Sequence, residues 1–362
     1  MPGKTNDGNY FEDFTVGQVL AHAVPRTLTH GDSSLYVALT GDRTPLHCDA
    51  EFARRLGFRR ETINDLLVFH TVFGKSVGDV SLNAVANLGY ADVLFIEPVY
   101  PGDTLRAESK VVGLKETSSG ATGIVYVQTR GFNQHGRSVI EFYRWVMVNK
   151  RDPKTLTGAD TVPELPATVP VDRLRVSSAL RADRFDASAT GGRFFFEDYA
   201  SGERIYHADG MTIEESEHAL ATRLYQNLAR VHFNGHQMQD SRFGRRLMYG
   251  GHVISIARAL SFNGLENALG MLAWNAGSHV NPTFAGDTLY AWSDVLETAD
   301  LPREPSLGAL RLRLNAVKNV DPRAESFEAR QRDEGSGRER YNPAVVLDLD
   351  YWLLMPRRSA AA

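Results

Sequence analysis

The stretch Tyr10–Gly17, YFEDFTVG, returns as Phe195–Gly202, FFEDYASG, and that recurrence organises the whole chain. The offset is 185 residues, and at the same offset His22 falls on His207, Thr27 on Thr212 and His47 on His232. Further along, EPVYPGDTL (Glu97–Leu105) returns as NPTFAGDTL (Asn281–Leu289) at an offset of 184, and VIEFYRW (Val139–Trp145) returns as VLDLDYW (Val346–Trp352). Self-similarity at a fixed long period marks a duplicated structural unit. The 362 residues therefore read as two copies of one domain, 1–152 and 193–362, joined by a linker over 153–192. The linker holds Pro153, Pro163, Pro166 and Pro170, then an Ala/Ser/Arg-rich segment with little apolar periodicity.

Each copy predicts the same order of elements. A helix comes first, DSSLYVALTG in one copy and EESEHALATRLYQN in the other, the latter led by Thr212 and Glu215 at capping-box spacing. A second, apolar run of helical length follows: DLLVFHTVFGKSVG and GGHVISIARALSFNG. Strand-like segments come last, among them LRAESKVVGL, GIVYVQTRGF and VIEFYRWVMV, rich in β-branched and aromatic residues. One helix against several antiparallel strands is an α+β layer arrangement.

Hydrophobic residues make up 43% and charged residues 23%, a balance that supports a sizeable core. A net charge of −4 gives no electrostatic reason to expect nucleic acid or an anionic membrane as partner. The lone Cys48 excludes an intrachain disulfide framework and suits a reducing cytoplasm. The N-terminal segment lacks the apolar core of a secretory signal, and no apolar run approaches the length that spans a bilayer. The expectation is a cytoplasmic protein.

Candidate chemistry sits in TGDRTPLHCD, Thr40–Asp49. Pro45 lacks an N–H and disfavours the helical region for Thr44, so the segment reads as a loop bearing a carboxylate, Asp42, and an imidazole, His47. Such a pair suits acid–base work near neutral pH. Cys48 beside His47 reads as a packed, inert thiol, since neighbours in an extended segment point to opposite sides. His70 and His252 fall inside apolar helices and read as core or supporting residues. No histidine or carboxylate spacing supports a metal site.

The run YVALTGDRTPLHCDAEFARRLGF resembles the hydratase motif of the MaoC-like, (R)-specific enoyl-CoA hydratase family. Where that family has Gly-Asp-x-Asn-Pro-hydrophobic-His, this chain has Gly41-Asp42-Arg43-Thr44-Pro45-Leu46-His47, with threonine at the asparagine position. Both copies share the resemblance, which implies a double hot-dog fold: two tandem domains, each an antiparallel sheet wrapped around a long helix. More narrowly, NYFEDFTVGQ, VFGKSVGDVSLNAVANLGYADV, YRWVMVNKRDP and FGRRLMYGGHVISIARALSFNG resemble the mesaconyl-CoA hydratase (β-methylmalyl-CoA dehydratase) family.

That resemblance implies reversible addition of water to an enoyl-CoA, with no metal or organic cofactor, an acyl-CoA thioester as substrate, and assembly into a homo-oligomer. It assigns the acid–base pair to Asp42 and His47. It also assigns oxyanion binding to the backbone N–H 18 residues after the histidine, at a helix start where the dipole assists. That position is Asp65 in the first copy and Gly250 in the second. The second copy offers His232 and Gly250 but has Asn227 in place of the carboxylate. Loss of a general base costs more than a change in the residue supplying a backbone N–H, which favours the first copy. The alternative has His232 work with water held by Asn227, the first copy shaping the acyl tunnel. Gly250 and Gly251 also read simply as a tight helix start.

Arg43, Arg242, Arg245 and Arg246 are candidate substrate-binding cations, because a free carboxylate or CoA phosphate favours an arginine fork. Two competing readings stand beside hydration of mesaconyl-CoA. One is a hydratase of other (R)-3-hydroxyacyl-CoA chains, which would need an apolar tunnel, and the other is a hot-dog protein that binds acyl thioesters without turning them over.

Overall fold

The repeated FED triplet forms a 3-10 turn in each copy, Phe11–Asp13 and Phe196–Asp198. In each, the aspartate carboxylate accepts the N–H of the residue preceding the turn, from Tyr10 at 2.9 Å and from Phe195 at 2.8 Å. The buried phenylalanine then lies flat on a glycine of the sheet: a Cβ at Gly123 would fall 2.3 Å from the Phe11 ring, and one at Gly308 2.2 Å from Phe196. The recurrence that reveals the duplication is thus the anchor that starts each domain.

The computed structural model describes residues 4–323, 327–332 and 338–361. The first copy supplies β1 (Val19–Thr27), α1 (His30–Thr40), α2 (Asp65–Ser76), β2 (Ala84–Phe95), β3 (Thr104–Glu116), β4 (Thr122–Phe132) and β5 (Ser138–Asn149). The second supplies β6 (Arg204–Thr212), α3 (Glu215–Leu224), α4 (Gly250–Leu260), β7 (Gly270–His279), β8 (Thr288–Asp300), β9 (Leu307–Lys318) and β10 (Val345–Pro356). These ten strands join one antiparallel sheet in the order β1-β3-β4-β5-β2-β7-β10-β9-β8-β6, with the short strand Asp160–Thr161 added on β3. The second half mirrors the first about the β2–β7 pairing, where Tyr90 faces Gly277 and Leu94 faces Ala273.

Strands β4 and β5 alternate buried and half-buried residues, as a sheet with one face on a core requires. That core face wraps α2 in the first copy and α4 in the second, whose side chains are almost all buried. A pseudo-twofold axis passes between the two helices. His70 and Ser255 are equivalent residues at the 185-residue offset, and they meet across it, Nε2 to Oγ, at 2.8 Å.

The ends of the two helices solve one packing problem in opposite ways. In the first copy, Arg144 of β5 is fully buried, donates to Ser76 Oγ at 2.8 Å and lies over Phe73. In the second, the helix position equivalent to Phe73 is Arg258, which donates to Ser261 Oγ at 2.7 Å, and the strand position carries Tyr351. Either way a guanidinium meets the electronegative end of the helix.

Two local expectations need correction. The cap of α3 is Glu214 with Glu217, because Thr212 is held in β6, paired with Thr288. The Thr40–Asp49 segment is not wholly a loop: Pro45–Cys48 forms one helical turn, with Pro45 at its first position, where no N–H is needed.

Candidate active site

Gly41 ends α1 with φ of 69°, a left-handed conformation that lets the chain turn sharply into Asp42. Asp42 is buried, and donors reach both of its oxygens. Thr44 donates to Oδ1 from its N–H at 3.1 Å and from its hydroxyl at 2.8 Å; Asn64 Nδ2 donates to Oδ2 at 2.8 Å. Threonine therefore performs the loop-closing task at the position where the motif commonly has asparagine.

His47 sits on the Pro45–Cys48 turn, also buried. Its Nδ1 faces the Thr62 carbonyl at 3.3 Å and the Thr62 hydroxyl at 3.0 Å. A carbonyl only accepts, so Nδ1 carries the hydrogen and Nε2 presents a lone pair. No hydrogen bond joins Asp42 to His47; each is fixed by its own support.

Asn64 connects this loop to α2. While its Nδ2 holds Asp42, its Oδ1 caps the helix by accepting the Leu66 N–H at 2.8 Å. Asp65 follows at the first helical position, where a backbone N–H has no partner within the helix. Its carboxylate turns toward the second copy and accepts the Met271 N–H at 3.0 Å. Burial pushes the Asp65 carboxyl above its ordinary range, partly offset by nearby His47 and the Met271 N–H.

A cleft of about 590 Å³, including its open mouth, reaches this group at Asp65 and at Leu46 and Thr62, the neighbours of His47; Asp42 and His47 themselves lie behind its lining. Leu46, Thr62 and Asp65 form its first-copy floor, Gly270 and Met271 its second-copy wall, and the linker residues Arg175, Val176, Ser177 and Leu180 close a third side.

The second copy brings its own candidates together differently. His232 Nδ1 donates to the Leu247 carbonyl at 2.9 Å, repeating the His47–Thr62 contact. Asn227 Oδ1 accepts the Ala229 N–H at 3.0 Å, repeating the Asp42–Thr44 contact. In place of Asn64 stands Tyr249, whose ring lies 5.5 Å from that of His232. A Cβ at Gly251 would fall 2.4 Å from the Tyr249 ring, and one at Gly250 2.5 Å from His279 Nδ1. The glycine pair admits these two rings at the helix start. Burial holds His232 and His279 down at about 4.

The four arginine candidates lie outside the cleft lining. Arg43 is over the Phe262 ring and 3.7 Å from Asp209, Arg242 over Phe243 and Arg245 over Phe284, while Arg246 pairs with Glu215. Cys48 is exposed as a residue rather than packed, because the helical turn swings it outward. Its sulfur, desolvated and close to Asp42 and Asp49, is still pushed up to about 12, so the thiolate is disfavoured. His70 is fully buried between Ser255 and Tyr249. Sequence reasoning missed Thr62 and Asn64. The signal for Asn64 was its N-cap chemistry just before an apolar helical run.

The family model for mesaconyl-CoA hydratase matches residues 3–326. The chain belongs to the mesaconyl-CoA hydratase family. Within that family it is 53% identical to a β-methylmalyl-CoA dehydratase of Chloroflexus aurantiacus, over 99% of this chain and 100% of the relative. It is equally 53% identical to a mesaconyl-CoA hydratase of Cereibacter sphaeroides, over 98% and 100%. A solved MaoC domain dehydratase from Chloroflexus aurantiacus superposes with a TM-score of 0.93 at 52% identity, covering 99% of this chain and 100% of that one. A Mycobacterium tuberculosis protein described as a double hot-dog superposes at 0.76 with 25% identity, over 96% and 99%. This family member is an α+β double hot-dog. Among the described residues no helix is long and apolar enough to cross a membrane, and no cluster of three metal-ligating side chains occurs.

Proposed function

We propose that the protein reversibly hydrates mesaconyl-CoA to (2R,3S)-β-methylmalyl-CoA, and that the first copy carries the working site. The observation that carries this reading is the contrast between the copies. An open cleft borders Leu46, Thr62 and Asp65 in the first, whereas the His279 ring crowds Gly250 and the Tyr249 ring crowds Gly251 in the second.

In this reading His47 Nε2 takes a proton from water while Asp42, braced by Thr44 and Asn64, orients that water. The water oxygen bonds to the carbon β to the thioester, and the π electron pair moves onto the thioester oxygen as an enolate. The N–H of Asp65 at the start of α2 stabilises that oxyanion, with the helix dipole aiding it. The proton on His47 then passes to the α-carbon and the enolate collapses, returning the site to its initial protonation. The chain's own groups supply every proton transfer, so the reading calls for no metal or organic cofactor. A cytoplasmic, homo-oligomeric enzyme using an acyl-CoA substrate belongs to the same reading, supported by the family's CoA chemistry and the single cysteine.

The test is loss of the enoyl-thioester absorbance of mesaconyl-CoA with wild type, Asp42→Asn, His47→Gln and His232→Gln. The first two variants are expected to lose about 100- to 10,000-fold in kcat and the third to retain it. Collapse in His232→Gln alone would move the chemistry to the second copy. Absence of turnover by the wild type would leave a thioester-binding protein.

A further inference from the structure

The linker is built into the molecule rather than draped over it. Trp352 Nε1 donates to the Val169 carbonyl at 3.1 Å, and Asn275 Oδ1 accepts the Val169 N–H at 2.7 Å. Arg173 forks onto Asp92 with both oxygens, at 2.8 and 3.0 Å. Beyond the cleft, the Arg181 N–H donates to the Leu56 carbonyl at 2.7 Å. Val169, Leu174 and Phe185 are buried in one cluster with Phe52 and Leu56 of the first copy and Trp352 and Leu354 of the second. Between these anchors the chain has little freedom, so the segment Arg175–Leu180 is held as a fixed wall of the cleft.

That wall brings a charge. Three ionisable side chains line the cleft: Asp65, Glu97 and Arg175. Glu97 is paired with Arg137 at 3.3 Å, and Asp65 is engaged by the Met271 N–H at 3.0 Å. Among the described residues no carboxylate pairs with the exposed Arg175. The lining therefore presents one guanidinium that no carboxylate among the described residues pairs with, positioned by anchors on both sides of it. A guanidinium so placed suits an anionic group of a ligand that enters.

We propose that the linker is part of the substrate site and that Arg175 binds an anionic group of the acyl-CoA. This rests on the proposed hydratase reading. Two groups share the chemistry, the free carboxylate of the acyl moiety and a phosphate of CoA, and one experiment separates them. Wild type, Arg175→Gln and Arg175→Lys are compared for kcat/KM with mesaconyl-CoA and for the inhibition constant of free coenzyme A. If the carboxylate is the partner, Arg175→Gln loses about tenfold or more in kcat/KM with coenzyme A inhibition unchanged. If a phosphate is the partner, both weaken together by about that factor. In either case Arg175→Lys recovers part of the loss. Unchanged values for both ligands in Arg175→Gln would overturn the proposal. Wild type that turns over no mesaconyl-CoA would defeat the hydratase reading instead; calorimetric binding of mesaconyl-CoA itself to wild type and Arg175→Gln would still decide the role of Arg175, equal affinities overturning it.

Discussion

Asn64 donates to Asp42 across 22 residues of sequence at 2.8 Å, and the same amide caps the helix whose first N–H faces the proposed oxyanion. One side chain therefore sets the distance between the carboxylate and the helix start.

Asn64→Ser separates its two duties. Serine caps helices well but is too short to keep the bond to Asp42. The expected outcome is a thermal midpoint close to wild type with kcat lowered about tenfold or more, in the range for loss of a supporting hydrogen bond. Asn64→Ala should show the same loss of kcat and about 1 kcal/mol less stability, from the missing cap. Wild-type kcat in Asn64→Ser would mean that the contact to Asp42 does not matter for turnover.

Asp65→Pro removes a single N–H while preserving the helix. Proline is favoured at the first helical position, and Asn64 already has φ −54° and ψ 134°, the extended conformation that a following proline requires. The predicted result is a fold that persists by circular dichroism and a kcat lowered about 100- to 1,000-fold, as for loss of an oxyanion donor. Asp65→Ala, which keeps the N–H but loses the carboxylate, should retain far more activity. Equal damage in the two variants would assign the importance to the carboxylate.

Acid should destabilise the fold well before the carboxylates titrate. Burial holds His207, His218, His232 and His279 at about 4 and His252 at about 3, against about 6.5 for a histidine in an unfolded chain. Below about 6.5 the unfolded chain binds more protons than the folded one. The stabilising contribution is thus complete above that value and is lost as pH falls toward 4. Asp65, whose carboxyl is raised, runs in the opposite direction but is a single group. Differential scanning calorimetry is expected to show a midpoint at pH 5 lower than at pH 7.5 by more than about 5 °C. A flat or rising midpoint over that interval would show that these histidines are not buried as neutral rings.

The duplication, the α+β layering and the Asp42–His47 motif were all readable along the chain, because each depends on local chemistry. The FED anchors, the strand alternation of β4 and β5, and the proline that shapes the turn before His47 act over a few residues. Tertiary structure alone decided which distant groups would meet. Asn64 reaches Asp42 only because the loop folds back on the start of α2. His70 finds Ser255 only because two copies related by a pseudo-twofold press their helices together. His279 crowds the second helix start from the end of β7, and nothing in Gly250-Gly251 by itself announces it. The linker shows the limit most clearly: its composition reads as a connector, yet apolar burial against both copies turns it into a wall of the cleft. Local propensity reports conformation, whereas the composition of a cleft depends on surfaces that come together only when the chain collapses.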